Sequence, residues 1–153
     1  MLNEVLCIID MQTDFISEVQ HKTLVGNVLR QINKAKRLHR PIIIVEYIGS
    51  GWTIPKIIKQ VKDYPHTSII QKGFEDGSGH ILKTLPDSDL TFRLCGVNWH
   101  QCVRNTALGL LRSGRKVIAC SNASNPNFRK GLETCQNNWV ELQNQYNEKL
   151  RVI

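Results

Sequence analysis

The chain has 153 residues, 41% of them hydrophobic and 22% charged, which is the balance of one globular domain able to bury a core. No apolar run approaches the roughly 20 residues of a membrane helix, and the opening MLNEVLCIID lacks the basic stretch and cleavage site of a secretory signal, so a soluble cytoplasmic protein with no membrane partner is expected. The net charge of +7 comes from scattered Lys and Arg without interleaved aromatics or a DNA-binding motif, so no nucleic-acid partner is expected, while a positive field would favour an anionic small molecule.

Along the chain two hydrophobic periods alternate. Glu4 to Ile9 is a short apolar run, which reads as a buried strand. Apolar residues at 24, 25, 28, 29, 32, 35 and 38 follow helical spacing, closed by Pro41. Ile42 to Val45 is a β-branched second strand. Ile54, Ile57, Ile58 and Val61 mark a helix with Pro55 in its first turn. Ser68 to Ile70 predicts a third strand and Ser78 to Leu85 a short helix before Pro86. Thr91 to Gly96 is the fourth strand. Val103, Ala107, Leu110 and Leu111 share one face of a helix spanning Cys102 to Arg112, which Gly114 ends. Lys116 to Cys120 is the fifth strand, Phe128 to Tyr146 the longest helix, and Leu150 to Ile153 a sixth strand. Strands alternating with helices predict an α/β fold of one domain over 1–153. Its sheet of about six strands is mostly parallel and doubly wound, with helices on both faces as a three-layer α/β/α sandwich.

In open parallel sheets, ligands bind beyond the carboxyl ends of the strands. The side chains predicted there are Asp10 after strand one, Glu46 and Tyr47 after strand two, Lys72 after strand three, and GVNWHQCV after strand four. The five cysteines are odd in number and form no CxxC pair, which argues against a disulfide framework and a zinc site. Cys7, Cys95 and Cys120 lie in apolar runs and read as small buried hydrophobes. Cys102 differs, because it opens a helix, where unpaired N–H groups favour an anion. Lys72 nearby would further favour thiolate, and Asp10 would move the proton. Backbone N–H groups at Asn98 and Cys102 are candidates for an oxyanion hole. Phe15, Glu46, Tyr47, Trp52, Phe74 and Trp99 are candidate pocket residues, each of which could equally be packing or surface.

Three stretches together resemble the isochorismatase-like superfamily of cysteine hydrolases, which includes nicotinamidases and N-carbamoylsarcosine amidases. LCIIDMQTDF resembles the strand with the family's catalytic Asp, matched by Asp10. IIQKGFEDGSG resembles the segment with its catalytic Lys, matched by Lys72. LCGVNWHQCVRNTALGLLRSGRKVIACSNAS resembles the longest signature, and Cys102 matches its nucleophile. The resemblance implies a cis peptide between Val97 and Asn98, a three-layer fold, and a homo-oligomer, either dimer or tetramer.

Departures from the family narrow the expectation. Nicotinamidases bind a metal through an Asp-x-His pair and a further His, whereas the corresponding EYIGSGW holds no histidine, so no metal and no cofactor are expected. Trp99 stands where a small polar residue is usual, and Asn122-Ala123 replaces an Asp-Ala. The resemblance thus implies hydrolysis of a C–N bond in a small amide or carbamoyl substrate through a thioester. The alternative is a binding or scaffold protein that keeps the fold without turnover.

Overall fold

A computed structural model describes residues 3–124 and 132–153, and the side chains among these other than those of 132–137. Strands β1 (Glu4–Ile9), β2 (Ile42–Tyr47), β3 (Thr67–Lys72), β4 (Thr91–Gly96), β5 (Lys116–Ser124) and β6 (Leu150–Val152) form one sheet. Every pairing is parallel, in the order β3-β2-β1-β4-β5-β6. Helices α1 (Lys22–Arg37) and α2 (Pro55–Val61) cover one face. Helices α3 (Ser78–Thr84), α4 (Arg104–Arg112) and α5 (Leu132–Gln145) cover the other.

Alternation along the strands feeds both layers. Val5, Cys7 and Ile9 of β1 pack with Ile81, Ala107, Leu110 and Leu142 beneath α3, α4 and α5. Leu6 and Ile8 pack with Val28, Ile32 and Ile57 beneath α1 and α2. A strand buried on both faces must be apolar throughout, which is why VLCII carries no polar residue. The expected three-layer α/β/α sandwich around a parallel, doubly wound sheet is the fold observed. Among the described residues no helix is long and apolar enough to cross a membrane.

Strand order reverses between β1 and β4, the point at which crossovers leave in opposite directions and open a crevice. There the backbones approach closely. Gly96 has a φ of 116°, and a Cβ at this position would overlap the Ile9 carbonyl, so only glycine fits. The next peptide, Val97–Asn98, is cis, as the resemblance implied.

Several elements differ from expectation. β2 and β3 run on to Tyr47 and Lys72, so these residues end their strands instead of following them. β5 continues to Ser124 through the polar SNAS, because a register shift opposite Leu94 and Gly96 accommodates extra residues and hides the period of two. The helix predicted from Cys102 is preceded by a π-helical turn, Trp99–Val103, that runs directly into α4. Of the helix predicted over 128–146, residues 128–131 lie outside the described residues.

Candidate active site

The carboxyl end of β1 supplies Asp10, and its conformation is unusual. Ile9 faces the α4 layer, so plain alternation would send the next side chain to the α1 layer. Asp10 instead has a φ of 53°, the left-handed region that a non-glycine residue seldom occupies. That turn brings its carboxylate to Lys72, with Nζ 3.2 Å from Oδ2. Neither side chain has any exposed surface. The Lys72 ammonium also donates to the Phe74 carbonyl at 3.0 Å and lies 4.4 Å from the centre of the Tyr47 ring. A buried ammonium with a carboxylate, a carbonyl and an aromatic face around it is a satisfied charge. The other carboxylate oxygen, Asp10 Oδ1, is buried as well, and the Cys102 thiol lies within hydrogen-bonding reach of this carboxylate.

Cys102 stands on the π-helical turn across the switch point. It is 4% exposed and lies within electrostatic reach of both Asp10 and Lys72. Burial works against the thiolate that the helix start and Lys72 favour. Burial pushes the thiol up to about 12, the Asp10 charge adds to this, and Lys72 opposes it. Asp10 is likewise raised, by burial first, with Lys72 pulling it back. Both groups thus hold a proton more tightly than they would in water, an arrangement suited to handing one proton from sulfur to oxygen.

The six candidate pocket residues divide. Tyr47 belongs to the group through its contact with Lys72. Phe74 joins by its backbone carbonyl, while its ring is 78% exposed. Glu46 does not join. It points to the face opposite Tyr47, where its Oε2 accepts from the Thr53 N–H and hydroxyl, both at 2.8 Å. With Trp52 it lines a hollow against Ile58, Ile69 and Gln71 on the α2 side. Phe15 packs half-buried against the α1 and α2 core. Trp99 is core: it stacks on Trp139 of α5 with centroids 4.2 Å apart and an interplanar angle of 22°. The carbonyl of Asn98 accepts from Gln101 and Val103 N–H, both at 3.1 Å, which anchors the turn that carries Cys102.

Two further residues shape the site without standing out in the sequence. Gln12 is fully buried. Its amide donates to the Tyr47 and Gly51 carbonyls at 2.9 and 2.8 Å and accepts from the Tyr47 N–H at 2.6 Å, so it staples the 47–53 loop to the end of β1. Thr106, one turn beyond Cys102, is also fully buried and accepts from the Gly77 N–H at 3.0 Å. Thr106 carries a signal, as a polar residue on the helix face of Val103, Ala107 and Leu110 four residues beyond Cys102, whereas Gln12, between Asp10 and the polar pair Thr13 and Asp14, is marked only by its place two residues after a candidate group. Among the described residues no three His, Cys, Asp or Glu side chains come together at metal-ligating spacing. His66 packs edge-on against Tyr64 at 5.4 Å, and His80 lies exposed on α3.

Comparison with known proteins assigns the chain to a family. The isochorismatase domain model matches residues 4–131. Isochorismatase domain-containing protein 2 of Xenopus laevis is 34% identical over 130 residues, which are 80% of this chain and 62% of that protein. The secreted isochorismatase effector Isc1 of Phytophthora sojae is 28% identical over 129 residues, 79% of this chain and 61% of that protein. The chain thus spans less than two thirds of the length of these relatives. The nicotinamidase SaPncA of Staphylococcus aureus superposes with a TM-score of 0.79 over 100% of both chains at 18% identity, a likeness of fold. With a family model matched over most of its length, the chain belongs to the isochorismatase family.

Proposed function

We propose that this protein is a metal-independent cysteine hydrolase that cleaves a C–N bond of a small amide or carbamoyl compound. The observation that carries the reading is the meeting of Asp10, Lys72 and Cys102, from three strand ends, in one buried group at the switch point. The steps follow from their chemistry. As the Cys102 sulfur attacks the substrate carbonyl carbon, its proton passes to Asp10. The oxyanion is received by backbone N–H groups at Asn98 and Cys102. The tetrahedral intermediate collapses as Asp10 gives the proton to the leaving amine, and a thioester remains. Asp10 then deprotonates water, which attacks the thioester and releases the acid, and the proton returns to sulfur. Lys72 keeps Asp10 ionised between turnovers and offsets the charge that appears on sulfur or oxygen.

The test is a panel of small amides, ureas and carbamoyl compounds assayed for ammonia release, with Cys102→Ser as the blank. At least one compound is expected to turn over about a hundredfold or more above that blank. A broad panel in which none rises above it overturns the reading.

A further inference from the structure

We infer that Thr106 is a positioning residue, which ties Lys72 to the helix carrying Cys102 through the turn at residues 75–78; the inference rests on the reading of Cys102 as nucleophile. Thr106 lies four residues beyond Cys102, about one helical turn away, on the continuous π-to-α helix. Its hydroxyl accepts from the buried Gly77 N–H at 3.0 Å and faces the Glu75 carbonyl at 3.5 Å. Gly77 is wedged on its other side. A Cβ there would stand 3.1 Å from Lys72 Cδ, 3.3 Å from Val45 Cγ1 and 3.5 Å from Thr106 Oγ1. The same turn begins at Phe74, whose carbonyl holds the Lys72 ammonium.

Neighbouring contacts close the joint. Asn105 donates to the Glu75 carboxylate at 2.5 Å, and the Asp76 carboxylate caps the Ser78 N–H at 2.8 Å. A Cβ on Gly109 of α4 would overlap Ser78, so helix and turn are in direct contact there. The lysine stem is thus held between β2 and a turn whose buried N–H has Thr106 as its acceptor. Removing that hydroxyl leaves the Gly77 N–H buried and unsatisfied, and the turn must shift to find another partner. Because the turn carries Lys72's carbonyl acceptor, the ammonium moves with it relative to Cys102. Asp10 from β1 and Lys72 from β3 are the charged groups bearing on the sulfur, so moving Lys72 away while it stays paired to Asp10 removes the influence that favours thiolate.

The experiment measures the rate of Cys102 labelling by iodoacetamide at pH 8.5, by peptide mass spectrometry on the folded full chain. Thr106→Val, which keeps the buried volume, is expected to slow labelling about fivefold, and Thr106→Ser to stay within about twofold of the native rate. In a Lys72→Met background, Thr106→Val is expected to change the rate by less than about twofold, because the residue it acts through is gone. A Thr106→Val rate equal to native, or the same slowing in both backgrounds, overturns the inference. If Thr106→Val does not fold, Gly77→Ala serves in its place: its backbone conformation admits alanine, with a φ of −94°, and its Cβ presses on the Lys72 stem. It must slow labelling with Lys72 present and leave the rate unchanged in the Lys72→Met background; equal effects overturn the inference. Labelling needs no substrate, so an inactive amide panel and a missing coupling are separate failures.

Discussion

At Cys102 the two charged neighbours oppose each other, and burial decides the balance in favour of the thiol. A thiol raised to about 12 stays on the rising part of its titration throughout the neutral range. Its alkylation rate is therefore expected to rise about tenfold per pH unit from pH 7 to 10 with no plateau, since the thiolate is the reacting form. Asp10→Asn removes a negative charge that holds the proton on sulfur and leaves Lys72 facing it. Labelling at pH 8.5 is expected to become about tenfold faster while turnover is lost, because the proton acceptor is gone. Slower or unchanged labelling in Asp10→Asn would mean that the carboxylate does not act on the thiol. The opposite signs for labelling and turnover separate a general base from a mere neighbour. The sequence is legible here to a definite limit. Spacing places Asp10, Lys72 and Cys102 at strand ends, and that suffices to bring them together. It does not say which face a strand-end residue meets, so Glu46, one residue from Tyr47, falls into the same candidate set although it serves the other side of the sheet. Trp99 falls there for a related reason: its stacking partner Trp139 lies far along the chain.

Among the elements, the loop after β2 shows how a single amide sets a local shape. Residues 48–53 contain Gly49 and Gly51, both with positive φ, and carry little apolar surface into the core. What holds them is Gln12, together with the Thr13 N–H bonded to the Trp52 carbonyl at 2.9 Å and Thr53 held by Glu46. Gln12→Leu would keep the volume, strand the Tyr47 N–H, take one of two donors from the Tyr47 carbonyl, which keeps the Ser50 N–H, and take the amide donor from the Gly51 carbonyl. The expected loss is about 2 kcal/mol or more, read as a lower urea midpoint, with faster protease cleavage at 49–51. An unchanged midpoint would mean that water replaces the amide without cost. Element boundaries are less legible than element identities. The run from Ser121 to Ser124 looks like a loop because a bulge breaks its alternation, and the turn before α4 looks like a strand exit because its π-helical hydrogen bonding leaves no sequence period to read.

For the whole molecule, the reactive groups border the part of the sheet that should open last. β1 and β4 each pair on both edges and are covered on both faces, with β1 almost fully buried from Val5 to Ile9 and β4 from Phe92 to Gly96. β3 and β6 pair on one edge only and are partly exposed along their length. Lys72 ends the weakly held β3, whereas Asp10 and Cys102 extend from the strongly held pair. The joint from Thr106 through Gly77 then gains a second meaning, since it connects the frayable strand to a helix seated on the stable centre. Native-state hydrogen exchange should report this gradient. Amides of β1 and β4 are expected to exchange only through global unfolding, and those of β3 and β6 about a hundredfold faster or more through local opening. The doubly wound order that creates the gradient is legible from the alternation of strands and helices alone, because right-handed crossovers leave few other arrangements. Exchange from β1 as fast as from β3 would mean that the sheet opens as one unit, and the rigid half of the site would lose its physical basis.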